Sequence, residues 1–353
     1  MRISLTAQPR CAYAAALAIM AGCAAAGPAQ AQAAAGSSVQ LYGLVDAYAG
    51  SMRRSDQPAR TTAVNSNGMT TSYWGLRGSE DLGGGLKAVF VLESFFQTDT
   101  GSNGRNSTDP FLSRNAWVGL AGGFGQVSAG RQTNRLFVAS GQFDPFGGSL
   151  QFSPVMLQTW QAVYDRAVLG DSVWNNTLQY TTPTIGGLRA DVSYGFGEQA
   201  GHGGRGNKSL AVNYAKGLFA AALTAQSVQY GPGLDGTAIT RQTAVLAAAS
   251  YDLGVAKLYG QWQRARTPDL DMRADTAQLG VGIPVGAAGK LMASVARTRR
   301  DIAGAAGSRR TDWAVGYDHH LSRRTDLYAV YLSDRLSGHD AAGSIGAGIR
   351  HRF

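Results

Sequence analysis

The sequence predicts an all-β fold: a transmembrane antiparallel β-barrel of about 16 strands with a long, inward-folded third loop. Three observations carry this. Segments of about ten residues alternate apolar and polar side chains with period two along nearly the whole chain. Short Gly-rich turns alternate with longer polar loops between them. After an N-terminal export leader, no apolar run reaches the ~18 residues that a membrane helix needs.

The leader comes first in the chain. Arg2 and Arg10 make a positive start, Cys11 to Ala26 an apolar stretch, and Ala29-Gln30-Ala31 a cleavage site, with Ala31-Gln32-Ala33 as a close alternative. Residues 1–31 read as a cleaved signal peptide and 32–353 as one barrel domain. Met20-Ala21-Gly22-Cys23 loosely matches a lipoprotein box, so lipidation of Cys23 is the second reading. Both cysteines, Cys11 and Cys23, lie in the leader. The mature chain then has no disulfide, thiolate metal site or Cys nucleophile.

Composition agrees with a barrel. Of 353 residues, 47 are Gly and 10 are Pro, and charged residues make up 16%, below the ~25% of soluble domains. The net charge is +9, or +7 once Arg2 and Arg10 leave with the leader. Export makes nucleic acid the least suitable partner for that charge. Anionic lipid headgroups and anionic solutes remain, and the charge suggests a weak anion preference.

The strands are expected near 38–51, 71–82, 85–97, 112–121, 125–136, 174–183, 187–197, 208–217, 218–230, 241–253, 255–267, 273–285, 289–300, 309–321, 325–335 and 343–353. Each covers a bilayer when tilted. In the last, Ile345, Ala347, Ile349, His351 and Phe353 share the lipid face. It should pair with the first strand near Val39 to Ala47 and close the barrel, so that no edge is left unpaired. Residues 137–173 lack a strand pattern but are rich in Phe, Trp, Gln and Met. They should pack inside the barrel.

At this point the motifs resemble a family. They are Leu41-Tyr42-Gly43-Leu44-Val45-Asp46, Trp74-Gly75-Leu76-Arg77-Gly78-Ser79-Glu80-Asp81-Leu82, Leu86-Lys87-Ala88-Val89-Phe90, Gly130-Arg131-Gln132-Thr133-Asn134, Asp144-Pro145-Phe146-Gly147 and the closing Gly348-Ile349-Arg350-His351-Arg352-Phe353. In this order they resemble the Gram-negative general porins, in particular their β-proteobacterial branch. The resemblance implies a homotrimer of 16-stranded barrels in the outer membrane that passes small hydrophilic solutes. It implies that 137–173 forms the constriction, with Pro145, Phe146, Gly147 and Gly148 at its inward turn. It also implies contact with outer-membrane lipid and lipopolysaccharide, and that Phe353 belongs to the signal read by the barrel-assembly machinery. Departures occur where charge is expected on the wall: Tyr73 replaces a frequent Arg, and Leu44 stands where enteric relatives carry Lys.

Strand parity assigns the lumen, because lipid-facing charges are costly. Trp74 and Leu76 facing lipid puts Tyr73 and Arg77 inside. Phe90 and Leu92 outside puts Lys87 inside. Trp117 read as lipid-facing puts Arg114 inside. Alternation sends Arg131 outward unless a bulge turns it. A transverse field is then expected, with Arg77, Arg114 and Arg131 on the wall and Asp144 opposite. The alternative is that these arginines pair locally and only fix the loop.

No H-E-x-x-H or G-x-S-x-G pattern occurs, so no enzyme, cofactor or metal is expected. Besides a general diffusion channel, a channel selective for organic anions and a barrel acting mainly as adhesin or surface antigen stay open.

Overall fold

The computed structural model describes residues 37–198 and 205–353. The leader, its cleavage sites, Cys11 and Cys23 lie outside the described residues. The chain order is β1 (Ser38–Met52), β2 (Thr61–Ser66), β3 (Tyr73–Gly83), β4 (Leu86–Phe95), β5 (Asn115–Gly122), β6 (Gly125–Thr133), α1 (Arg135–Gln142), α2 (Pro154–Trp160), β7 (Val173–Thr181), β8 (Leu188–Phe196), β9 (Gly206–Lys216) and β10 (Phe219–Val228). There follow β11 (Gln242–Asp252), β12 (Lys257–Thr267), β13 (Met272–Val285), β14 (Gly289–Ile302), β15 (Ser308–His320), β16 (Thr325–Leu336) and β17 (Ala342–Arg352).

Sequential strands pair antiparallel around the ring. β2 and β3 both pair with β1, at Ala47–Met52 and Ser38–Leu44 respectively. They are two halves of one stave, so 17 strands make a closed barrel of sixteen staves. The short β2 lies inside the loop expected at 52–70. Between its halves, residues 67–72 turn aside. Asp46 holds this excursion by accepting the backbone N–H groups of Gly68, Met69 and Thr70 at 2.8–3.0 Å.

Alternation decides which side chains meet lipid. On β17, Ile345, Ala347, Ile349 and His351 face out, while Ser344, Gly346 and Arg350 face in. β17 closes on β1 with Leu44 opposite Arg352 and Ser51 opposite Ile345, farther along β1 than the expected Val39 to Ala47. Phe353 finishes the ladder through reciprocal backbone bonds with Gly43 at 3.1 and 3.2 Å. A Cβ on Gly43 would stand 2.5 Å from the Phe353 ring, so glycine there makes room for the terminal aromatic. The short turns use glycine where φ must be positive, as at Gly83, Gly84 and Gly85.

The segment between β6 and β7 runs from Asn134 to Ser172 and contains the two helices. Asn134 caps α1 by accepting from Leu136 N at 2.8 Å, and Ser153 caps α2 with Pro154 at its first turn. Phe143, Phe146, Phe152, Met156 and Trp160 are buried against the inner wall. Burial of one such side chain contributes about 1.5–3 kcal/mol.

The wall is made of small residues where these side chains press. Ala222, Ala244, Ala265, Ala274 and Ala296 receive one group, and Ala314 lies beneath the other. A Cβ would stand 2.7 Å from Pro145 at Gly280, 3.1 Å from Phe146 at Gly316 and 2.5 Å from Phe152 at Gly346. Gly346→Val should therefore overpack the Phe152 socket and destabilise the barrel by about 1–3 kcal/mol. An unchanged unfolding midpoint in denaturant would contradict this packing.

Candidate functional site

Polar side chains of the wall fix the backbone of the inserted segment. From the wall, Gln261 donates to the carbonyls of Ser140 and Phe143 and Gln242 to that of Ala167, while Gln158 of α2 donates back to the wall carbonyl of Ala296. Lys290 on β14 donates to Pro145 O at 3.2 Å, and Ser149 donates to Gly68 O at 2.6 Å. The tip is thus tied to β14 on one side and to the β2–β3 excursion on the other.

What remains open lies between this segment and the wall of β3 to β6. A chamber of about 490 Å³ is bounded by Arg114, Thr133, Phe137, Gln142, Asp144, Pro145, Tyr259 and Lys290. A larger vestibule of about 890 Å³, lined by Tyr48, Arg54, Arg105, Arg131, Trp160 and Arg166, lies toward the long loops.

Arg114 sits in the chamber with its guanidinium 2.5 Å from Glu93 and 4.1 Å over the Tyr73 ring. Trp117 is not the lipid-facing residue of β5 that strand parity took it to be. Val118 and Leu120 are the exposed side chains of β5, and Trp117 lies on the side of Asn115, which donates to Glu93. Arg114 reaches the lumen because it precedes β5, in a bend where strand alternation does not apply. Tyr73 supplies an aromatic face for the cation rather than a charge.

Glu93 is 2% exposed and also accepts from Tyr42 Oη at 2.5 Å. Arg77 faces the lumen below it, bonded to Gln40 at 2.8 Å and stacked 4.7 Å over Tyr42. Lys87 faces in but does not line this chamber. It stands six residues before Glu93, about 20 Å along β4, at the short-turn mouth.

Arg131 lies at a register shift between Gly130 and Gln132, where Gly130 has φ +134°. Its guanidinium donates to Ser113 O at 2.9 Å and to Asn175, and lies 3.6 Å from Asp171. Arg105 bridges Asp109 and Asp171 at 2.7 and 2.8 Å. These groups clamp the end of the inserted segment, so Arg131 pairs locally there instead of facing Asp144.

Asp144 is not the open anionic wall of the expected field. It is 3% exposed, and its carboxylate closes its own turn by accepting from Gly148 N at 3.0 Å. The other oxygen has no hydrogen-bond partner. Burial pushes the carboxyl up to about 6. Pro145 and Phe146 are the buried anchors of the tip, while Gly147 and Gly148 carry φ +64° and +80°.

Tyr42 and Lys290 complete the site beyond the residues expected from sequence, and Glu93 faces in from β4 as the outward Phe90 and Leu92 require. Lys290 was readable by parity, because Leu291 and Val295 are its outward neighbours. Elsewhere, Asp318, His320 and Asp326 bring three donor atoms together near the short-turn mouth. Arg350 pairs with both aspartates and Arg352 with Asp326, so guanidinium charge already balances that cluster.

A family model described as Gram-negative porin matches residues 14–339. The chain is 31% identical over 361 residues to outer membrane porin protein 32 of Delftia acidovorans, covering 94% of this chain and 97% of that one. It is 25% identical over 388 residues to an outer membrane porin of Bordetella pertussis, covering 93% and 96%. Among solved structures, the anion-selective porin from Comamonas acidovorans superposes with a TM-score of 0.74 at 28% identity, covering 90% of this chain and all of that one. The chain belongs to the Gram-negative porin family. It is an outer-membrane β-barrel that forms a passive diffusion channel for small hydrophilic solutes and ions.

Because the Asp144 carboxyl is charged above about pH 6 and neutral below it, lowering the pH removes a negative charge beside Lys290. Reversal potentials in a salt gradient should shift toward anions as pH falls through that value. In Asp144→Asn this step should disappear; an identical step in the variant would assign the titration elsewhere.

Proposed function

We propose that the constriction of this channel favours small anions. One observation carries the reading. Arg114, Lys290 and Asp144 line the chamber, but the Asp144 carboxyl is 3% exposed and Glu93, which lies behind Arg114, is 2% exposed. Glu93 is covered by Arg114, Tyr42 and Asn115, so its charge is compensated before a permeating ion meets it. A pore selects by its width and by the field of its lining groups. Arg77 and Lys87 extend positive charge toward the short-turn mouth, and Arg131 contributes at the vestibule. The anion-selective porin from Comamonas acidovorans makes the same preference reasonable here.

The same reading assigns the inserted segment, with Pro145, Phe146, Gly147 and Gly148 at its turn, as the constriction loop. It takes the working unit to be a homotrimer in contact with outer-membrane lipid. Phe353 then serves both to close the ladder on Gly43 and as the terminal aromatic recognised during assembly.

Reversal-potential measurements on Lys290→Gln and Arg114→Gln test the selectivity. Two unit charges 4 Å apart in water interact by about 1 kcal/mol, so each loss should lower the anion-to-cation permeability ratio by up to about fivefold. Arg114→Gln should have the larger effect, because it also uncovers Glu93. Unchanged ratios in both variants would remove the basis for the proposal.

A further inference from the structure

The vestibule holds two features that passage of a simple inorganic ion does not use. The first is an unspent cation. Four arginines line the space, and three are committed: Arg105 to Asp109 and Asp171, Arg131 to Asp171 and Asn175, and Arg54 to Asp56. The fourth, Arg166, is half-buried, yet its guanidinium makes no ion pair and no hydrogen bond among the described residues. Asp171, whose charge reaches it, is already shared by Arg105 and Arg131. The β10–β11 loop closes over Arg166, since a Cβ on Gly233 would stand 2.8 Å from its Nη2. A guanidinium with free donors and one flank covered is a bidentate seat for a carboxylate.

The second feature is an apolar shelf. Phe137 on α1 and Trp160 on α2 meet edge to face, with ring centroids 5.1 Å apart and planes at 82°. The Trp160 indole N–H is turned back onto Ser140 at 3.5 Å, so the ring offers carbon to the vestibule. Phe137 is half-buried and borders both the vestibule and the chamber, so its ring stands where the two spaces meet.

The cation and the shelf lie on neighbouring backbone. Ala167 N–H donates to Gln158 O at 2.9 Å and Val168 N–H to Thr159 O at 3.0 Å. This pairing carries Arg166 past the end of α2 that bears Trp160. A bare inorganic anion gains from the guanidinium but loses hydration against the rings. An anion with a flat apolar body gains from both, because its charge meets Arg166 while its ring covers carbon that water otherwise wets.

We propose that the vestibule is a binding subsite for aromatic carboxylates, with Arg166 holding the carboxylate and Phe137 with Trp160 the ring. From there the solute enters the chamber, where Arg114 and Lys290 receive its charge and the exposed Val138 its ring. This rests on the anion preference proposed above and names the class of organic anion that the channel favours. Binding is weak enough for release, as conduction requires.

The test reads chloride current through the native protein in planar bilayers, with benzoate, acetate, sulfate or benzyl alcohol added on both sides. Benzoate should lower the current while it occupies the subsite, with a half-blocking concentration about tenfold below that of acetate, the factor expected for the apolar surface of one ring. Benzyl alcohol, which has the ring without the charge, should not block. Arg166→Gln should raise the half-blocking concentration of benzoate at least about tenfold, as expected for a lost charge-assisted pair. Phe137→Gln should bring benzoate to the level of acetate and leave acetate unchanged. Phe137 also packs on the inserted segment, so Arg166→Gln provides the test if that variant fails to fold. Equal block by benzoate and acetate, block by sulfate at or below the benzoate concentration, block by benzyl alcohol, or undiminished benzoate block in Arg166→Gln would each overturn the proposal. The chloride-to-potassium reversal potential in the same membranes tests the anion preference itself, so the two readings can fail separately.

Discussion

A barrel of sixteen staves is too wide for its own side chains to fill, and by itself it encloses an aqueous channel. The packing of residues 134–172 against the inner wall determines what that channel becomes. The wall accepts Phe143, Phe146, Phe152 and Trp160 because Ala and Gly occupy the positions beneath them, and its Gln261 and Gln242 bond the backbone of the segment that carries those side chains in. A larger wall residue or a missing glutamine acts on the pore through this contact, even when it touches no permeating ion.

The same contact arranges the charges. The tip lands on Lys290 and turns the Asp144 carboxyl into its own backbone. The facing wall holds Arg114 over Tyr73 and against Glu93. Local pairing and lumen field, which are alternatives for a single arginine, coexist here. Arg131 is committed to Asp171 and Asn175, whereas Arg114 is paired and also exposed to the chamber. The chamber is therefore asymmetric in charge, without the open carboxylate that a simple transverse field requires.

Much of the barrel was legible in the sequence, because one constraint acts on every strand: the lipid face must be apolar, and period two then fixes the other face. The broken second stave was not legible, since Thr61–Ser66 is short and polar and its partner half begins only at Tyr73. Trp117 misled the reading of β5, because an aromatic ring suits the lumen wall as well as the girdle, while Val118 and Leu120 mark the lipid side. The Asp144-Pro145-Phe146-Gly147 turn was recognisable. The fate of its carboxylate was not, because burial depends on Lys290 and the wall far away in sequence. Lys87 shows the limit of parity, which gives the side of a residue but not its depth along the pore.

The central claim is that the inserted segment stands packed against the wall in the conducting channel. A cross-link between Pro145→Cys and Gly280→Cys tests it directly, since Pro145 lies against Gly280 and the sequence has cysteines only at Cys11 and Cys23. The account predicts that the bond forms readily and that single-channel conductance is the same oxidised and reduced. A marked fall in conductance on oxidation, or failure of the bond to form, would mean that the open channel holds this segment elsewhere.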